Sequence, residues 1–263
     1  MISKVHYFFY TCNSPWPLLA TLNSFNLLFS LLTFLKTGIH HSFFVSILVV
    51  AGTSMIWWFF YSGENVFQGL FSLSLMSGLK IGMLMFISSE VFFFFSFFWS
   101  YFHFSLSPTM EVGLMWPPYY IEMFDCLDVP LVNTLILLSS GMTVTVAHES
   151  LWQTQIKKAK IYLGVTIILG LMFTMCQLAE YNSSFFSIGD STFGTTFFML
   201  TGFHGIHVLV GTIFLFIVLM RFFKFTSNKN EMLSFELASW YWHFVDVVWI
   251  FLYYLIYYCN NWQ

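Results

Sequence analysis

Apolar residues in this chain come in runs too long for strands and too continuous for half-buried helices. Seven runs stand out, at about residues 16–35, 41–62, 72–105, 131–151, 157–180, 193–223 and 234–258. Each approaches or exceeds the roughly 20 residues that a helix needs to cross a hydrocarbon core about 30 Å thick. Trp16-Pro17 opens the first run, with proline in the first turn, where a helix tolerates it. A β-barrel would alternate apolar and polar residues in segments of about ten. The runs Phe92–Phe95 and Ile167–Met172 break that alternation. The pattern predicts an all-α polytopic membrane protein with seven transmembrane helices, because a helix satisfies its own backbone hydrogen bonds in lipid. A polar, proline-containing connection from Ser107 through Trp116-Pro117-Pro118 to Pro130 separates the third and fourth segments. The link Gly63–Gly69 sets off the first two, so residues 1–70 are expected to form an N-terminal two-helix segment and 71–263 a five-helix bundle.

Charge placement supports the count. With seven crossings, Lys4, Lys80, Lys157, Lys158, Lys160, Arg221, Lys224 and Lys229 fall on the side of the N terminus, and Lys36 alone falls opposite. The opposite loops hold Glu111, Glu122, Asp125, Asp128, Glu180 and Asp190. The positive-inside rule then places the N terminus inside and the C terminus outside. A miscounted helix would scramble this asymmetry.

Only 8% of the residues are charged, against about 25% in soluble domains. The net charge of −3 therefore says little about partners, and no basic patch with spaced aromatics suggests nucleic acid. Cys12, Cys126, Cys176 and Cys259 are scattered without a C-x-x-C pair, so no thiolate metal site or redox pair is written locally. The start, MISKVHYFFYTCNSPWPLLATLNSF, shows no Arg-rich amphipathic stretch and no signal-peptide cleavage pattern, and no cleaved presequence is expected.

Glu90 is the most informative residue. It lies in GMLMFISSEVFFFFSFFW, residues 82–99, where almost everything else is apolar. A charged side chain at the centre of a spanning helix costs about 2.5–3.5 kcal/mol on insertion scales. Ten residues at about 1.5 Å each put Glu90 roughly 15 Å beyond Lys80, near mid-bilayer if Lys80 snorkels to the inner interface. An intramembrane carboxyl is by default a candidate for proton- or lipid-linked function. The plain structural alternative is a carboxyl hydrogen-bonded to a neighbouring helix.

Two helical segments carry paired polar residues. In GFHGIHVLVG, His204 and His207 are three apart and share a face. Two such imidazoles suit a metal only with further ligands, for which Glu90, His148, His243 and Asp246 are candidates without helical ligand spacing. Hydrogen bonds to neighbouring helices are the simpler role. In WYWHFVDVVW, His243 and Asp246 are again three apart, which suits a structural pair or a proton relay. A third set is Trp57, Trp58, Glu64, Arg221 and Lys224, all near the inner face by the charge count. Cationic side chains there suit a phospholipid phosphate, and tryptophans suit the headgroup boundary. No Gly-rich phosphate loop, no broken helix repeated in two halves, and no histidine set for haem and copper is present.

The strings resemble subunit III of the haem–copper terminal oxidases, and within that family the mitochondrial cytochrome c oxidase type. The match runs through SPWPLLA at Ser14–Ala20, Trp57-Trp58, ENVFQG at Glu64–Gly69 and GLKIGMLMFISSEVFFFFSFFW at Gly78–Trp99. It continues through MWPP at Met115–Pro118, VPLVNTLILLSSG at Val129–Gly141 and AHESL at Ala147–Leu151. It closes with STFGTTFFMLTGFHGIHVLVG at Ser191–Gly211 and WYWHFVDVVWIFLYY at Trp240–Tyr254. The chain departs from the family pattern at Phe59-Phe60-Tyr61-Ser62-Gly63, at Phe71, where His is common, and along Tyr119–Asp128.

The resemblance implies two helices and five helices arranged as a V-shaped, lipid-filled cleft. It implies a non-catalytic core subunit of respiratory complex IV that supports electron transfer from cytochrome c to oxygen and coupled proton pumping. Haem a, haem a3 and copper would sit in partner subunits, with no metal on this chain. Partners would be subunits I and II, accessory subunits and a respiratory supercomplex, with bound phosphatidylglycerol, phosphatidylethanolamine or cardiolipin. Glu90 would be the family's carbodiimide-reactive carboxyl. Phospholipid contacts would fall on Trp57, Trp58, Glu64, Arg221, Lys224 and His207. The expected location is the mitochondrial inner membrane, with the N terminus in the matrix and the C terminus in the intermembrane space.

Overall fold

The structure, a computed structural model, describes residues 14–38, 40–68, 73–110, 113–224 and 229–261. Side chains are described for the same residues except 58, 59, 61–68, 73–75, 224, 229–231 and 261. Seven long helices follow one another: α1 Trp16–Thr37, α2 His41–Gln68, α3 Leu73–Leu106, α4 Val129–Trp152, α5 Ile156–Asn182, α6 Thr192–Lys224 and α7 Lys229–Leu252. A π-helical segment, Tyr253–Tyr258, and a last turn, Cys259–Asn261, continue α7. Among the described residues there are no strands.

Each helix grows from one apolar run, and the differences have local causes. α2 runs on to Gln68, so the stretch read as a link from Gly63 is helical up to that residue. No proline interrupts it, and one glycine inside a helix costs only about 1 kcal/mol. α4 starts at Val129 because Pro130 fits a first turn. α5 extends to Asn182, which puts Glu180 in a helix rather than a loop. Among the described residues five helices are long and apolar enough to cross a membrane by length and composition alone: α1, α3, α4, α5 and α6. The described apolar part of α2 is shorter, His41–Trp57. α7 carries Glu236, His243 and Asp246 within its apolar run, and Asp246 is buried.

The contacts divide the chain into two units, Met1–Leu79 and Lys80–Gln263. The first holds the α1–α2 hairpin. Gly38 closes α1 at φ 73°, a left-handed conformation that glycine adopts without strain, and its N–H donates to Phe34 O. The two helices then meet at Ser30 and Ser46, whose hydroxyls lie 2.6 Å apart, and at Phe34 and Phe43, whose rings stack with centroids 5.6 Å apart. Leu18, Leu22, Phe25, Leu28, Phe29, Leu32 and Leu35 are exposed within this unit, so α1 is apolar on nearly every side. Such a helix suits lipid or a larger assembly. Ser30→Ala is expected to weaken the hairpin by about 0.6 kcal/mol, the mean for an interhelical hydrogen bond in membranes. Double-mutant cycles with Ser46→Ala would measure it.

In the second unit, contact numbering gives helix direction. Lys80 meets Glu236, Phe86 meets Tyr241, Phe98 meets Phe251 and Tyr101 meets Leu255, so α3 and α7 run parallel. Phe173 meets Trp249 and Glu180 meets Tyr257, so α5 also runs with α7. Glu90 meets His207 and Phe93 meets Phe203, so α6 runs against α3. α4 runs against α5, to which a short connector joins it. Alternating directions are what consecutive crossings demand.

Trp242 is the centre of the packing. It is fully buried, and its Nε1–H donates to Ser140 Oγ at 2.9 Å. Two glycines make room for its ring. A Cβ on Gly170 would lie 2.7 Å from Trp242 and 2.5 Å from Thr212 Cγ2, and one on Gly211 would lie 2.9 Å from the Trp242 ring. Thr143 and Thr166 share a hydrogen bond of 2.8 Å between α4 and α5. At the far end, the Tyr101 hydroxyl lies 3.0 Å from Leu255 O and 2.9 Å from Asn260 Oδ1, and Asn260 Nδ2 donates to Ile256 O. These side chains satisfy carbonyls of the π-helical segment.

Candidate intramembrane carboxyl site

α3 and α6 run antiparallel, and that arrangement sets Glu90 opposite His207 across 117 residues of sequence. Glu90 Oε2 lies 2.9 Å from His207 Nε2. The other ring nitrogen, Nδ1, lies 2.7 Å from Phe203 O, one turn back on α6. A carbonyl only accepts, so Nδ1 carries a hydrogen. The short contact between Oε2 and Nε2 then holds one proton, on the carboxyl or on the ring. Either way the pair has no net charge, which is the least costly way to place both groups at this depth.

Aromatic rings close around the pair. The Phe94 ring lies edge-on to His207 at 5.0 Å, and Tyr241 stacks on it at 6.3 Å. Phe93 packs against Phe203 at 5.0 Å and Phe244 against His207 at 6.3 Å. The His207 and Glu90 side chains are 12% and 22% exposed, so the carboxyl faces helix more than lipid. Lys80, ten residues before Glu90, forms an ion pair with Glu236 Oε2 at 2.7 Å and lies 6.0 Å from the Trp240 ring centroid. That pair pins the start of α3 to α7 and holds the register that aims Glu90 at His207.

The other sequence candidates separate. His204 is completely buried one turn from His207, and its Nε2 lies 3.1 Å from Val245 O on α7. The two histidines therefore share a face but serve different neighbours. His243 Nδ1 and Asp246 Oδ2 are 3.9 Å apart, beyond hydrogen-bond length. Asp246 is buried instead against α4, where a Cβ on Gly141 would lie 2.7 Å from its Oδ2. Among the described residues no group of three or more His, Cys, Asp or Glu is placed to hold a metal.

Trp57 belongs to the first unit and is partly exposed, whereas Arg221 is buried near the end of α6 in the second. The side chains of Trp58, Glu64 and Lys224 lie outside the described residues. His207 and Arg221 are fourteen residues apart on one helix, roughly 21 Å along its axis. A phosphate at Arg221 therefore does not reach His207, and such a lipid offers only its acyl chain at that depth.

Two features escaped the sequence reading. One is a cleft of about 210 Å³ between α4 and α7, lined by Thr145, His148, Glu236, Ser239, Trp240 and His243, among others. The other is Glu180, buried and accepting a 2.6 Å hydrogen bond from the Tyr257 hydroxyl. Spacing alone cannot show either, because each joins helices far apart in sequence.

The chain matches the family model for cytochrome c oxidase subunit III over residues 6–261. It is similar to cytochrome c oxidase subunit 3 of Anopheles quadrimaculatus, 45% identical over 248 residues, which cover 94% of this chain and 95% of the relative. It is similar to the protein of that name from Myxine glutinosa, 43% identical over 261 residues, covering 99% of this chain and all of the relative. The Struthio camelus protein of the same name gives 43% over 261 residues, with the same coverage.

Proposed function

Because this chain belongs to the cytochrome c oxidase subunit III family, and so to an oxidase complex, we propose that it is a non-catalytic core subunit. It supports the catalytic subunit while electrons pass from cytochrome c to oxygen and protons are pumped. Haem a, haem a3 and copper belong to the partner subunits I and II, and this chain carries no redox centre of its own. The complex lies in the mitochondrial inner membrane, with the N terminus of this chain in the matrix and its C terminus in the intermembrane space.

The observation that carries the reading is the Glu90–His207 pair. Both imidazoles of the sequence pair bond to protein, His207 through both ring nitrogens to Glu90 and Phe203, His204 through Nε2 to Val245 O. Among the described residues neither is aimed with a third ligand at a shared point. The pair locks α3 to α6 and keeps one exchangeable proton inside an aromatic cage. That arrangement supports a structural role with a proton-linked component. Arg221 and Lys224 at the end of α6 supply positive charge for a phospholipid phosphate, and Trp57 and Trp58, with Glu64, contribute headgroup contacts on α2.

Glu90→Gln tests the reading. A carboxamide N–H can donate to His207 Nε2, so the lock is kept. The variant oxidase is expected to assemble, to keep its haem spectrum and to start turnover within about twofold of the parent. Loss of haem, or of all activity from the first turnover, would contradict a non-catalytic role.

A further inference from the structure

Asp246 is a second carboxyl at about the depth of Glu90. α3 and α7 run parallel, and Lys80 on α3 pairs with Glu236 on α7 at 2.7 Å. Glu90 and Asp246 each lie ten residues further on, roughly 15 Å deeper. Asp246 is 7% exposed, and its Oδ1 has no hydrogen-bond partner among the described residues. A buried carboxyl is costly to leave unpaired, and ionisable groups inside a membrane mark proton or ion pathways.

The cleft of about 210 Å³ between α4 and α7 leads toward it. On α7 its lining runs from Glu236 to His243, about 10 Å of helix, inward from the level of the Lys80 pair. Thr145, His148, Glu236, Ser239 and His243 are five of its seven lining residues, and each carries a polar group. Hydrocarbon satisfies none of these groups, whereas a polar cleft of this size holds several waters. His243 is the innermost lining residue on α7, and its side chain is 43% exposed. Its Nδ1 lies 3.9 Å from Asp246 Oδ2. Gly141 puts no side chain into that junction: a Cβ there would lie 2.7 Å from Asp246 Oδ2 and 3.9 Å from His243 Nδ1.

The other titratable groups on the surrounding helices are engaged elsewhere. Glu90 on α3 and His207 on α6 hold each other, Lys80 holds Glu236, and His204 Nε2 faces Val245 O. On α5, Glu180 accepts from the Tyr257 hydroxyl. His243, with His148 beside it on α4, is therefore the group placed to pass a proton between the cleft and Asp246. Imidazole suits that task, because it gains and loses a proton near neutral pH.

We propose that the α4–α7 cleft is a water-filled proton inlet to Asp246, with His243 as the carrier. A hydronium in the cleft gives its proton to His243 Nε2. The proton on Nδ1 then passes to the ionised Asp246 Oδ2, so an N–H bond breaks, an O–H bond forms, and the ring is left as its neutral Nε2–H tautomer. A small rotation of the half-exposed ring brings the 3.9 Å separation to hydrogen-bond length. Reversal of the steps discharges the carboxyl to the same side. The inlet lies on α4 and α7, apart from the Glu90–His207 pair, and does not depend on the role proposed for that pair.

Two measurements on the purified membrane complex test the inlet. The first is labelling of introduced cysteines by a charged, water-soluble maleimide, since apolar surroundings suppress the reactive thiolate. Thr145→Cys, in the cleft, is expected to label at least about tenfold faster than Val146→Cys, which is exposed at the same depth but outside the cleft. Equal rates would show that water does not fill the cleft and would overturn the inlet. The second follows the infrared bands of protonated carboxyls after transfer into D₂O. The band lost in Asp246→Asn is expected to shift at least about tenfold faster than the band lost in Glu180→Gln, whose carboxyl is buried away from the cleft. His243→Leu is expected to slow the first of these about tenfold. A residue-246 band that shifts no faster than that of residue 180, or no protonated band at 246 at any pH, would overturn the inlet. If Asp246→Asn does not assemble, His243→Leu decides. Slowing confined to one carboxyl band is then expected, and slowing of none would contradict the carrier.

Discussion

Replacing Trp242 by alanine is expected to destabilise the second unit by about 3–5 kcal/mol, the range for truncating a large buried aromatic. The ring fills the space that Gly170 and Gly211 leave open, and its Nε1–H is the partner of the buried Ser140 hydroxyl. No neighbour collapses easily into the gap, because α4, α5 and α6 are all in contact there. Trp242→Phe keeps most of the ring and should recover much of the loss. Unfolding of the purified chain in mixed micelles by added SDS would read both values. A change below about 1 kcal/mol for the alanine variant would show that the packing does not centre on this ring.

The second large effect is a contrast at the carboxyl site. His207→Leu removes the hydrogen-bond partner of the Glu90 carboxyl and leaves that carboxyl in a largely aromatic neighbourhood, since Phe93, Phe94 and Phe244 pack on the ring at 207. Stripping one member from a buried pair typically costs 3–5 kcal/mol, and the partial exposure of this pair places the expectation near 3. Glu90→Leu with His207→Leu replaces both groups by apolar ones and should recover most of that loss. Glu90→Gln should cost less than about 1 kcal/mol, since the hydrogen bond survives. The ordering of the three variants matters more than any one value. If the double variant were as unstable as His207→Leu alone, unpaired burial would not be the cause.

Much of the fold could be read from the sequence because lipid imposes a simple code. A helix that must satisfy its own backbone and face hydrocarbon shows as an apolar run, and seven runs became seven helices. The ends were harder. Glu180 counted as a loop acid in the charge tally, yet it is buried inside α5. Its partner Tyr257 comes from the π-helical segment, whose register no apolar pattern specifies. The same limit applies at the site. Glu90 announced itself by the cost of a carboxyl in an apolar run. That His207, and not His204, receives it depends on which turn of α6 faces α3. One helical turn separates the two histidines, and only packing chooses between them. Lys80 shows the point again: its charge alone suggested a place at the inner interface, and only packing shows that it also holds α3 against α7 through Glu236.

The proposed lipid contacts rest on chemistry alone: Arg221 and Lys224 on charge placement, and the tryptophans on their preference for the interface. What separates Arg221 from His207 is plain helix geometry, about 21 Å of rise, which divides one expected lipid set into a headgroup level and an acyl level.

This chain is proposed to support a redox enzyme without carrying its metals. The most direct measurement is native purification of the membrane complex that contains it, with subunit identification, haem spectra and metal content of each separated chain. Co-purification with a haem a- and copper-bearing oxidase, with no metal retained on this chain, is the predicted result. A chain recovered alone, or with metal bound at its own histidines, would contradict that role.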